Sequence, residues 1–240
     1  MRSLLALFIL LIASFNLAAQ ELTPFTWNYD VTYNKGKTTY KGTGSYVLAA
    51  IDKNLESTKN NKRKNKRKKK PEYPADAAYT FTASIETNSK AFSSADTLWL
   101  RYDSTNYVVP LQRKQKMLIL GFPRRRDIPL TPLAEGVYYG EQSAVLLLRN
   151  EVKKYVTGQS SNKEWEIWLA DRDKKEKYYL APDEKISTPL GEIDCYVVAK
   201  EEKNNRRQFH VWLAKDGLYI AKVVQTNGKE KTSMVITSYR

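Results

Sequence analysis

Gln208-Phe209-His210-Val211-Trp212-Leu213-Ala214-Lys215-Asp216-Gly217-Leu218-Tyr219-Ile220-Ala221-Lys222-Val223-Val224-Gln225-Thr226 reads as two extended segments broken by a single turn. β-Branched and aromatic residues dominate on both sides, and Asp-Gly is a dipeptide whose backbone suits a tight hairpin. Strands are therefore predicted over Gln208–Ala214 and Leu218–Thr226. Asn227-Gly228 repeats the signal and predicts a third strand over Thr232–Tyr239. Upstream, Gly191–Lys200, Lys177–Leu180 and Glu164–Ala170 have the same character. The C-terminal half thus reads as an antiparallel meander. Strict alternation in Gly191–Lys200 sets Cys195 on one face with Ile193 and Val197, as a small buried hydrophobe.

The N-terminal half carries the same period of two. Thr26–Tyr33 and Thr38–Ile51 flank the turn residues Asn34-Lys35-Gly36-Lys37, an opening hairpin. Ala77–Glu86, Thr97–Tyr102, Tyr107–Leu111 and Met117–Phe122 are further strand candidates. Pro123–Pro132 holds three prolines and is expected to be irregular. One stretch breaks the pattern. Over residues 141–155, Ala144, Val145, Leu147, Leu148, Val152 and Tyr155 fall on a broad helical face, with Lys153 and Lys154 at the end and Gly158 beyond. The fold class expected is mainly β and antiparallel, with one short helix at about 141–155.

The first nineteen residues have the layout of a secretory signal: Arg2, an apolar run from Leu4 to Ile12, then Ala18 and Ala19 before Gln20. The run is short for a membrane span. Residues 1–19 are therefore expected to be a removed signal, with residues 20–240 forming a single β-rich domain exported to the periplasm. The formal charge is +14, but Lys59–Lys70 holds nine basic residues and no acidic one, so the rest of the chain carries only +5. Such a run has nothing to bury and repels itself, which predicts a disordered insertion at about 56–74. Export argues against nucleic acid as its partner. The run reads either as a solvated loop without a specific partner or as a site for an anionic envelope surface, lipopolysaccharide or acidic lipid, formed by Lys62, Arg63, Lys64, Lys66, Arg67, Lys68, Lys69 and Lys70.

Candidate chemistry is sparse. His210 is the single histidine and shares its strand face with Gln208 and Trp212 rather than with an acid, so no triad can be assembled locally. Cys195 is the single thiol, so no disulfide and no thiolate metal site is expected. Asp171 and Asp173 fit a turn, and Asp30 follows Trp27 and Tyr29. No catalytic, cofactor or metal residue is assigned. Sixteen tyrosines, five tryptophans and seven phenylalanines either fill a core, the reading taken for Trp27, Trp99 and Trp212, or line an amphipathic cleft. Trp165 and Trp168 are three apart on a strand, which sends one of them outside the core.

Thr188-Pro189-Leu190-Gly191-Glu192-Ile193-Asp194-Cys195-Tyr196, followed by Phe209–Val223 with its Trp212-Leu213-Ala214-Lys215-Asp216 strand end, resembles the exported bacterial family numbered 3108 among domains of unknown function. Trp27–Tyr33 looks like that family's opening strand and Ser143–Arg149 like its short central helix. Ala221 stands where the family usually has proline, and the basic run has no counterpart there. The resemblance implies a soluble exported β domain built as a strongly curved sheet or incomplete barrel or sandwich, and no activity. The function expected is non-enzymatic binding of an envelope component, a lipid, glycan or peptide. Two alternatives are a carboxylate-dependent hydrolase of a cell-wall or polysaccharide substrate, and an assembly factor that pairs a sheet edge with a partner protein.

Overall fold

The computed structural model describes residues 23–52, 74–88, 92–102, 108–119, 122–129, 138–139, 144–169, 174–200 and 207–240. The expected signal at 1–19, most of the expected insertion at 56–74, and Asp171 and Asp173 lie outside them. The strands are β1 (Phe25–Lys35), β2 (Thr38–Ala50), β3 (Tyr79–Thr87), β4 (Phe92–Tyr102), β5 (Val108–Ile119), β6 (Phe122–Pro129) and β7 (Tyr138–Tyr139), then the helix α1 (Ala144–Val156). After it come β8 (Glu164–Leu169), β9 (Lys174–Thr188), β10 (Gly191–Lys200), β11 (Arg207–Ala214), β12 (Ile220–Asn227) and β13 (Glu230–Tyr239).

All thirteen strands form one sheet in the order β6-β5-β4-β3-β2-β1-β13-β12-β11-β10-β9-β8-β7. Every pairing is antiparallel except the short parallel contact of β7 with β8. The expected mainly antiparallel β class is therefore what the chain adopts. The first and last strands meet in the middle, where Thr26 and Arg240 exchange backbone hydrogen bonds of 2.8 and 3.0 Å. The sheet is open and strongly curved. Phe81 and Leu98 on β3 and β4 share one apolar cluster with Trp165 and Ile167 on β8, eight and nine strand positions away. On a flat sheet these would lie about 40 Å apart. Wrapping one face inward, with Val145, Leu148 and Val152 of α1 inside the curve, brings them together.

The helix ends as its sequence predicts. Gly158 takes φ 74°, its N–H bonds to Tyr155 O, and Gln159 N–H reaches back to Lys154 O at 2.9 Å, a Schellman closure with the basic last turn beside it. Its inner face differs slightly from expectation, because Leu146 is buried while Leu147 and Tyr155 are only partly so. Three strand expectations need correction. Tyr107–Leu111 and Met117–Phe122 are not separate strands: β5 runs unbroken through polar Gln112–Lys116 because β4 and β6 supply ladder partners on both sides. Pro123–Pro129 is not irregular but lies in β6. This is an edge strand, where a missing N–H can face away from the ladder. Strand β9 continues past Leu180 to Thr188, with Pro182 lodged in a bulge between the partners of Cys195 and Val197.

Candidate functional site

The aromatic residues go mainly to the core. Phe25 and Trp27 stack at 3.7 Å between ring centroids, and Tyr29 meets Tyr46 edge-on at 5.2 Å. Tyr29 donates its hydroxyl to the Ile220 carbonyl at 3.0 Å, and burial pushes both the Tyr29 and the Tyr46 phenols up. Trp27, Trp99 and Trp212 are all buried, as expected. So is Trp165, whereas the Trp168 side chain lies outside the description.

Cys195 and His210 lie on the paired strands β10 and β11. Cys195 is wholly buried and donates weakly to the Ile193 carbonyl at 3.6 Å. Burial, and then the charges of Asp194 and Glu184, push its thiol up to about 11 against a smaller opposing effect of Lys215. His210 packs beside Trp212 at 5.8 Å, on the shared face expected of it. The Trp212 indole N–H in turn donates to Glu184 at 2.9 Å, beneath the Lys222 ammonium. Among the described residues no group of three or more His, Cys, Asp or Glu could hold a metal ion, and no helix is long and apolar enough to cross a membrane. The eight basic residues from Lys62 to Lys70 named as an anionic-surface site fall outside the described residues.

Two concave sites stand out, and neither was visible in local sequence. The larger is a cleft of about 740 Å³ across β1 to β6. Strand register sets Asn28, Ser45, Ser84, Ala95, Lys116 and Arg125 opposite one another in a row across its floor. The next row begins with Asp30, Thr43 and Glu86. Small side chains open the space, and Ser45 and Ser84 tie their hydroxyls together at 2.8 Å. Charge is divided along it: Asp30 and Glu86 lie toward β1 and β3, while exposed Lys116, Arg124 and Arg125 lie toward the β6 edge. Asp30, the one candidate acid within the described residues, thus does reach a cleft, with Glu86 two strands and about 10 Å of backbone away.

The smaller site, about 280 Å³, lies where α1 meets the chain ends, lined by Phe25, Trp27, Arg149, Asp216, Tyr219 and Tyr239 among others. Arg149 lies over the stacked rings of Phe25 and Trp27, 5.7 and 5.4 Å from their centroids, and its Nε donates to the Leu218 carbonyl at 2.8 Å. Burial pulls the guanidinium below its ordinary value. Leu218 adopts φ 51°, the only positive φ at a non-glycine residue among those described, inside the turn that Asp216-Gly217 announces.

The edges of the sheet bear on the assembly reading. β6 carries Pro123, Pro129 and the adjacent Arg124 and Arg125, and β7 has two residues. Short, proline-bearing and charged strands resist addition of a further strand, so the edges are poor templates for pairing.

No protein-family model matches the chain, the family numbered 3108 included, and no curated protein matches it. Solved structures do. A β-barrel-like protein of domain-of-unknown-function family 1849 from Brucella abortus is 9% identical over 92% of this chain and 98% of its own, with a TM-score of 0.46. A family 1329 protein from Desulfovibrio piger is 11% identical over 95% of this chain and 91% of its own, at 0.32. A domain described as a candidate outer-membrane lipoprotein-sorting protein from Vibrio parahaemolyticus is 10% identical over 95% and 90%, also at 0.32.

Proposed function

We propose that this is an exported, periplasmic member of the family numbered 3108 that binds an amphipathic, anionic component of the cell envelope in the β1 to β6 cleft. The observation that carries the reading is the cleft itself. Its volume of about 740 Å³ lies within the usual range for small-molecule sites, and on the face of its floor it sets Ala95 and Leu118 beside the cations Lys116 and Arg125. A floor of small side chains, with Leu118 beside it and positive charge at one end, suits a glycolipid or glycan headgroup bearing phosphate or carboxylate. The basic residues Lys62, Arg63, Lys64, Lys66, Arg67, Lys68, Lys69 and Lys70 would concentrate the protein at the surface where such molecules lie, since each basic side chain near an anionic membrane contributes about 1 kcal/mol.

Co-sedimentation of the mature chain with phosphatidylglycerol vesicles tests both parts. Binding is expected at low salt and is expected to fall as the Debye length drops below about 8 Å. Replacing those eight basic residues by serine should abolish sedimentation. Lys116→Ser with Arg125→Ser should leave sedimentation intact while abolishing retention of a lipid adduct in native mass spectrometry. Equal sedimentation with neutral vesicles would overturn the surface reading, and an adduct unchanged in the double variant would overturn the cleft. Asp30 and Glu86 give the hydrolytic alternative its specific form, a carboxylate pair on one floor. Hydrolysis of a polysaccharide that is lost in both Asp30→Asn and Glu86→Gln would replace binding as the function.

A further inference from the structure

The smaller pocket has features that packing does not require. Arginine heads are normally left in water or paired with a carboxylate, because burying an unpaired cation is costly. Arg149 is half-buried and among the described residues makes no ion pair; its one hydrogen bond uses Nε alone, so its terminal nitrogens are left to the solvent of the pocket. A guanidinium has five N–H groups, so the four on Nη1 and Nη2 remain for something else. The group is also held in one orientation. Phe25 and Trp27 lie against one side of it, and the Leu218 carbonyl fixes the Nε edge. That carbonyl is offered by a residue in the left-handed region, a conformation that disfavours a branched side chain. Beside the guanidinium, Tyr219 and Tyr239 stack at 4.4 Å and 15°, with Tyr239 54% exposed. Asp216 lines the same pocket without reaching ion-pair distance.

We infer that this pocket is an oxyanion-binding site, in which the two terminal nitrogens of Arg149 hold a phosphate or carboxylate group and the Tyr219–Tyr239 wall holds the apolar portion that carries it. Arginine's fork matches such a group with two parallel hydrogen bonds. The pocket has room for roughly nine water-sized volumes, so it takes a headgroup and its first few carbons rather than a whole lipid. The site is separate from the β1 to β6 cleft and does not depend on the reading of that cleft. Asp216 sets a limit on affinity, since its carboxylate repels the same ligand that Arg149 attracts.

Octyl phosphate below its micellar concentration is the probe, titrated by calorimetry into the full chain, with octanol and inorganic phosphate as the comparison arms. Octyl phosphate is expected to bind and octanol not to. Arg149→Met, which keeps an apolar stem over Phe25 and Trp27, should weaken binding about tenfold or more. Asp216→Asn should tighten it about two- to fivefold by removing a nearby like charge. Lys116→Ser with Arg125→Ser should change nothing, which separates this site from the cleft. Equal affinity for octyl phosphate and inorganic phosphate would assign the free ion as the ligand and overturn the role of the tyrosine wall. Equal affinity for octanol, or unchanged binding in Arg149→Met, would overturn the oxyanion site. Should Arg149→Met fail to fold, Asp216→Asn decides alone, and affinity unchanged there overturns the inference.

Discussion

Cys195 shows how a single residue's surroundings convert into a pH dependence. Its thiol sits among apolar side chains and is raised to about 11, whereas an unfolded chain releases the same proton near 9. Between these values the folded state holds the proton and the unfolded state does not, so stability contributed by the thiol is complete below about pH 9 and declines toward pH 11. Tyr29 and Tyr46 add to the decline at higher pH in the same direction. Cys195→Ala isolates the cysteine's share. Urea denaturation should find the stability advantage of wild type over variant shrinking across that window by at most about 2.8 kcal/mol, at roughly 1.4 kcal/mol per pKa unit. In the native protein at pH 8 the thiol should not react with a disulfide reagent on the timescale of minutes; rapid labelling would show it accessible. The burial of Cys195 was legible because alternation along one strand settles it. The setting of Arg149 was not, because its partners come from residues 25–27, 216–219 and 239, which no spacing around position 149 reveals.

At the level of elements, legibility followed how local the deciding interactions are. β11, β12 and β13 are marked by alternation and by Asp-Gly and Asn-Gly turns, all contained within a few residues. β6 was lost because proline is read as a breaker, and only its place at a sheet edge makes it acceptable. The cleft depends on register across six strands, and its one sequence trace is the small-residue run Gly42-Thr43-Gly44-Ser45. Gly42 has a specific role there. A Cβ at this position would press into the Glu86 carbonyl oxygen and lie 2.7 Å from Thr87 Cα, both backbone atoms of β3 that cannot rotate away. At Gly44 two of the three nearest atoms, at 3.0 Å, belong to the Met234 and Val31 side chains, which can shift. Gly42→Ala should therefore force β2 and β3 apart and cost about 3 kcal/mol, while Gly44→Ala should cost about 1 kcal/mol. Equal losses in chemical denaturation would mean that strand approach is not the reason for glycine at 42.

The whole molecule is organised by its seam. β1 and β13 pair at the centre of the sheet, and contacts there, such as Asn28 to Ser238, join residues 210 positions apart. The hairpins that flank it are local, as the sequence led one to expect. The seam itself was not legible, because two chain ends pair as readily with any free edge as with each other until the rest of the sheet positions them. Read as a ring, the strand order is β7 to β13 followed by β1 to β6 in chain order, broken only between β6 and β7. The strand order is thus a circular permutation of a meander with one helical crossover, from β7 through α1 to β8, and it is cut in the middle of the sheet. Joining Arg240 to Thr23 through a short glycine-serine linker, and opening the chain after Pro129, would make every strand pair a pair of neighbours in sequence. Lower contact order should speed refolding by about tenfold in stopped-flow measurements, with the native sheet retained. A permutant that refolds no faster would show that closing the seam is not the slow step. For the natural order the consequence falls on biogenesis: β1 leaves the ribosome with one edge bare, and it keeps that edge bare until β13 has been made.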